Sequence, residues 1–189
     1  GEEQTGYGGI IQDYSGYYNL IESNDIVVEC GSQSSRSSIK LHNSHYVTVS
    51  TNTMRMTYNK GSANGYGGID LIQDASHNIV IGNTIIDVEH GVWFRETGTK
   101  TNNVVRDNTI YLVDSAESEY GIYILSGASD TLITNNMIFG HGTAGDTAVY
   151  IQAGATDTAV YENYWAYCTT GLDDNGTSTE QADNYDLGF

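Results

Sequence analysis

Two short phrases recur along this chain, and their recurrence constrains the fold more than any other feature. The first is a hydrophobic couplet, two or three residues, then Asn and an apolar residue. It reads HNIVIGNTI (77–85), NNVVRDNTI (102–110), DTLITNNMI (130–138) and DTAVYENYW (157–165), with a looser copy in YVTVSTNTM (46–54). Its Asn falls at Asn52, Asn83, Asn108, Asn136 and Asn163, at spacings of 31, 25, 28 and 27 residues. NDIVVECG (24–31) fits the frame one step earlier with Cys30 in the Asn slot. The second phrase is a small residue, then apolar, variable, apolar. It reads GIIQ (9–12), SIKL (38–41), GIDL (68–71), GVWF (91–94), GIYI (121–124), AVYI (148–151) and GLDD (171–174).

These segments are short, rich in Val, Ile and Tyr, and bounded by Gly, Asn, Asp and Ser. They alternate apolar with variable residues, which is the period of a strand. A repeat of roughly 27 residues holding several strands and no helical stretch specifies a β-solenoid. Each coil then gives one strand to each of several parallel sheets, with neighbouring coils stacked about 4.8 Å apart. The reading is all-β: about seven coils over residues 8–175 of a single domain spanning 1–189. The polar tail 177–189 would cap the end through Tyr185, Leu187 and Phe189. The Asn column forms a ladder, each amide bonding the coils above and below at a tight corner.

The repeat resembles that of the right-handed parallel β-helix class, the pectate-lyase-like superfamily. YGIYILSGASDTLITNNMIFG (120–140) is similar to the short repeat of carbohydrate-active β-helices and phage tailspikes. That resemblance implies that the ladder turns the corner between the second and third strands of a coil. It also implies that the second phrase is the first strand, lining a substrate groove. The fold hosts lyases, hydrolases, epimerases and non-catalytic spikes, so activity must be argued from the site. YGGID (66–70) echoes the motif of alginate epimerases, but Leu71-Ile72 stands where Pro-His should follow. GHG at 140–142 and Asp173-Asp174 graze a polygalacturonase pattern in reversed order.

Strand alternation then sorts side chains by face. One outward column reads Ile11, Lys40, Asp70, Trp93, Tyr123, Tyr150 and Asp173, and the next reads Asp13, His42, Ile72, Arg95, Leu125, Gln152 and Asn175. Trp93, Tyr123 and Tyr150 are the candidate substrate-binding residues, stacking on pyranose rings or forming a structural aromatic ladder. Lys40, His42, Asp70 and Arg95 are the candidate catalytic residues. Uronate β-elimination needs a cation for the carboxylate, which Arg95 offers. It also needs a base, from Lys40 or His42, and an acid, from Tyr123. Asp70 with Asp74 is the candidate site for Ca²⁺, the one cofactor considered. The plainer reading is a Lys40–Asp70 surface ion pair.

Charge narrows the partners. Seven Lys and Arg against 24 Asp and Glu give a net charge of −17. That excludes a general nucleic-acid binder and docking on an anionic membrane. The expected partner is a polysaccharide, met at an extracellular or virion surface. The leading function is a lyase-type depolymerase on an acidic glycan. The alternative is a non-catalytic glycan-binding or structural spike or adhesin module. The chain would be a module of a longer protein or a homotrimer. Cys30 and Cys168 lie about five coils apart, roughly 24 Å along the rod, too far for a disulfide, which predicts two free thiols.

Overall fold

The computed structural model describes residues 11–29, 37–57, 67–114, 118–142 and 145–188, and these wind into a parallel β-solenoid. Three sheets of seven strands each run along the rod. The first sheet holds Ile11–Tyr14, Ser37–His42, Gly67–Ile72, His90–Arg95, Tyr120–Ile124, Thr147–Ile151 and Thr170–Asp174. The second runs from Leu20–Glu22 to Glu180–Ala182, and the third from Asp25–Glu29 to Tyr185–Asp186. A coil takes one strand from each sheet, and coils are numbered here from one at the N-terminal side. In the turn joining the first and second sheets, Lys100–Thr101 pairs with Ala128–Ser129, and single bridges link Tyr17 with His45 and His45 with Ser76.

The repeat phrases explain the core. Ile39, Ile69, Val92, Ile122 and Val149 stand in register on the first sheet and are all fully buried. The glycines that open the phrases at Gly68, Gly91, Gly121 and Gly171 sit at the corner against the third sheet. A Cβ on Gly91 would come within 2.6 Å of Ile110 Cγ2 and 2.4 Å of the Gly121 carbonyl oxygen. Close packing leaves no room there for a larger side chain.

The ladder is longer than the sequence phrase suggests. Asn52 donates its side-chain amide to Asn83 Oδ1 at 3.0 Å, and its backbone N–H reaches the same oxygen at 3.0 Å. The pattern repeats through Asn83, Asn108 and Asn136 to Asn163, which bonds Asn184 at 3.0 Å. At the other end Asn24 donates to Asn52 at 2.8 Å. Asn24, not Cys30, therefore fills the slot in coil one, with Asp25 beside Thr53. Cys30 lies outside the described residues. A second, shorter ladder was not legible in the phrase. Asn78 and Asn103 take backbone N–H groups from Val47 and Asn78 at 2.9 Å each.

Two further expectations are corrected. Residues 180–182 and 185–186 pair in parallel with the preceding coil, so most of the segment read as a cap continues the winding. Phe189 lies outside the described residues. In coil one, Gln12 stands beside Lys40 and Tyr14 beside His42, where Ile11 and Asp13 were placed. Two consecutive isoleucines allow either frame, and a one-residue slip moves every side chain to the opposite face.

Candidate functional site

The outer face of the first sheet carries Lys40, Asp70, Trp93, Tyr123, Tyr150 and Asp173 in one register column. His42, Ile72 and Arg95 share the next. Each neighbour is one strand spacing away, so side chains about 30 positions apart in sequence meet directly.

In the middle coils this face is aromatic. The Trp93 and Tyr123 rings stack with centroids 5.9 Å apart and planes 10° from parallel. Tyr123 meets Tyr150 edge-on at 5.0 Å. Two side chains outside the phrase complete the cluster. His90 packs 4.4 Å from Trp93, and Tyr120 lies 4.7 Å from Tyr123 and 5.1 Å from Tyr150. His90 and Tyr120 pair in register, one residue ahead of the phrase. The signal for them was the parallel between EHG (89–91) and EYG (119–121).

At the edge of the cluster the Arg95 guanidinium lies 4.8 Å over the Trp93 ring, a cation–π contact. Its Nη1 is also 3.5 Å from Asp70 Oδ2. Asp70 is fully buried, although its strand position faces outward. Its second partner is the Ser37 hydroxyl, which donates to Oδ2. A Cβ on Gly67 would fall 2.3 Å from Asp70 Oδ1, so glycine there makes room for the carboxylate. Lys40 is 3% exposed, and Ile72, placed as an exposed residue by the sequence, is buried.

Burial dominates the electrostatics. It raises the Asp70 pKa, against the pull of the Ser37 hydrogen bond, Arg95 and Lys40. It lowers the Lys40 pKa, against the attraction of Asp70. The His90 imidazole is pushed down to about 4 by burial, so at neutral pH it is uncharged. The Tyr123 phenol is raised by burial, then by Tyr150 and Tyr120, and so keeps its proton. Polar atoms without a hydrogen-bond partner among the described residues gather on this face: Asp70 Oδ1, His90 Nδ1, Trp93 Nε1 and His42 Nε2. Buried polar groups are nearly always satisfied, so these four are exceptions on this face.

The site divides the candidates. Lys40, Asp70 and Arg95 form one charged group, and Trp93, Tyr123 and Tyr150 one aromatic group joined to it through Arg95. His42 stands in the Arg95 column two strands away, and its ring contact is with Tyr14, at 4.6 Å. The two carboxylates of the candidate Ca²⁺ site have different partners. Asp70 is taken up by Ser37 and Arg95, while exposed Asp74 accepts the Thr99 N–H at 2.8 Å. No group of three or more His, Cys, Asp or Glu is placed to hold a metal ion among the described residues. The His141 ring of the GHG segment bonds the Leu112 carbonyl oxygen at 2.8 Å, away from this face. Cys168 is a free thiol, part-buried where the third sheet turns back to the first.

Comparison with known proteins agrees with the fold. Residues 3–165 match the family described as the right handed beta helix region. No curated protein matches the chain.

Proposed function

We propose that this chain, which belongs to the right-handed β-helix family, binds an acidic polysaccharide along the outer face of its first sheet. The observation that carries this reading is the Arg95 guanidinium seated on Trp93 at the edge of a five-ring cluster. Aromatic rings suit the apolar face of a pyranose. The planar Arg95 fork suits a uronate carboxylate, and in a chain of net charge −17 a cation held there discriminates strongly. Such polymers are met outside the cell or at a virion surface, and the proposal places the chain there.

Lyase-type cleavage is the catalytic form of this reading. Arg95 would neutralise the carboxylate and acidify the α-proton. The Lys40 amine, with its pKa lowered, would take that proton as the carbon–oxygen bond to the leaving sugar breaks and a carbon–carbon double bond forms. Tyr123 would give its proton to the leaving oxygen. The observation favouring cleavage is the lowered Lys40 pKa beside Arg95. The burial of Lys40 and Asp70 favours the second reading, a non-catalytic glycan-binding module.

Calorimetric titration with oligogalacturonate, oligoalginate and a neutral oligosaccharide tests the binding. Acidic ligands should bind and the neutral one should not, and Arg95→Ala and Trp93→Ala should each weaken binding about tenfold. Equal binding of neutral and acidic ligands would remove the acidic assignment. Ultraviolet absorbance of an unsaturated uronate product separates the two forms: its growth marks a lyase, and binding without it marks the inert module.

A further inference from the structure

A second aromatic surface lies on the turn between the first and second sheets in coils one to three. Tyr18 and Tyr46 stack at 4.9 Å and 15°, and Tyr46 stacks on His77 at 4.7 Å and 24°. Beside them Tyr17 meets His45 at 5.0 Å, and Tyr14 meets His42 at 4.6 Å. Tyr18 is 77% exposed and Tyr46 43%.

The backbone makes these residues unusual. The turn ends at one left-handed position in every coil: Tyr18, Tyr46, His77, Asn102, Asp130, Asp157 and Ser178, with φ between 50° and 60°. From coil four onward the position is filled by Asn, Asp or Ser, short polar side chains that suit such corners. In coils one and two it holds tyrosine, whose bulk is disfavoured there. A strained residue that also exposes its ring to solvent is better explained by what the ring contacts than by what it stabilises.

We propose that this platform is a second glycan subsite, stacking a sugar ring of the same acidic polymer that occupies the first sheet. The proposal rests on the glycan reading above and adds a place and a length requirement to it. Continuity supports the occupant. His42 of the Tyr14 stack belongs to the same strand as Lys40, and its register column continues through Ile72 to Arg95. From coil one to coil four is three strand spacings, about 14 Å, a span that takes an oligosaccharide of several sugars to bridge. The chemistry also fits. Tyr46 carries a ring on each side, so exposed Tyr18 offers the ring face, with phenol and imidazole hydrogen-bonding groups beside it, and none of the stacked residues is a carboxylate that would repel an acidic sugar.

The chain supplies its own test substitution, because later coils show what the corner takes when no ring is needed. In a Tyr18→Asn, Tyr46→Asn variant the melting temperature should hold or rise. Affinity for long oligogalacturonate or oligoalginate should fall about tenfold, while affinity for fragments short enough for the first sheet alone should not change. Trp93→Ala should instead weaken both lengths. Nuclear magnetic resonance of the tyrosine rings in the unaltered protein gives an independent readout: long oligosaccharides should shift Tyr18 and Tyr46, and short ones should not. A variant that melts lower yet binds long chains normally would make the stack a structural ladder and leave the first-sheet reading intact. Self-association that the same substitutions abolish would assign the platform to a second copy. Failure of the unaltered protein to bind any glycan would overturn both readings.

Discussion

Asp70 lies 3.5 Å from Arg95 and has no exposed surface, so the pair is a buried ion pair and not a solvated surface bridge. Lys40, one strand away, adds a second cation to the same carboxylate. Removing one partner of a buried pair strands the others, at about 3–5 kcal/mol. Asp70→Ala should therefore lower the unfolding free energy by that much. At about 2–4 °C per kcal/mol the melting temperature should drop by roughly 10 °C. Asp70→Asn keeps an oxygen for the Ser37 hydroxyl and should cost less. A loss below about 1 kcal/mol for Asp70→Ala in denaturant unfolding would place the pair in the weak surface class.

The ladder predicts a sharper dependence on a single amide. Asn108 takes two N–H groups from Asn83 and donates to Asn136 and to the Val80 carbonyl oxygen, all in the interior. Asn108→Ala would orphan the Asn83 backbone N–H and take the amide donor from the Val80 carbonyl oxygen, while Asn136 Oδ1 keeps the backbone N–H of residue 108. An unsatisfied buried group costs about 1–3 kcal/mol, so the loss should reach about 3 kcal/mol or more. Asn108→Asp keeps an acceptor for Asn83 but loses the donor, and it should fall between. Denaturant midpoints at constant slope measure this, and a near-neutral Asn108→Ala would mean that the corner does not depend on its amides.

What was legible in the sequence follows the same physics. A residue repeated once per coil to fill a fixed interior slot, such as Ile69, Val92 and Ile122 or Asn83 and Asn108, leaves a periodic trace. The parallel frame of the first sheet from Lys40 to Asp173 was readable for that reason. Coil one was not, because Ile10-Ile11 supports two frames and only pairing with Ile39 decides between them. Asn78 and Asn103 escaped because later coils replace them with Thr131 and Thr158. The burial of Asp70 had no local signature. It depends on Ser37, Gly67 and Arg95, from three different strands. His90 and Tyr120 lay just outside the phrase and needed the coils aligned before their position meant anything.

His90 should make stability depend on pH in a defined window. Burial holds its folded pKa at about 4, against 6.5 for an ordinary imidazole. Between those values the unfolded chain binds a proton that the folded one refuses. Stability from this group is therefore complete above 6.5 and is lost as pH falls toward 4, by up to about 3 kcal/mol. Acidic groups also titrate in this range, so the variant isolates the effect. His90→Tyr, which copies Tyr120 on the neighbouring strand, should lose less stability between about pH 7 and about pH 4.5 than the unaltered protein does, by about 2–3 kcal/mol. Identical pH profiles for the two proteins would show that His90 takes up its proton as readily in the folded chain as in the unfolded one.

Cys168 should be chemically silent while the chain is folded. Its thiol is pushed up to about 12, first by burial and then by the Asp146 carboxylate, against a hydrogen bond from the Gly140 backbone. The thiolate is the reactive species, and near neutral pH its population here is smaller by orders of magnitude than in an ordinary cysteine. Iodoacetamide labelling mapped by peptide mass spectrometry should leave Cys168 unmodified in native protein and label it fully after denaturation. Asp146→Asn removes the neighbouring charge but not the burial, so labelling should rise only slightly. Rapid native labelling of Cys168 would show that the corner where the third sheet turns back to the first opens far more readily than its packing against the core implies.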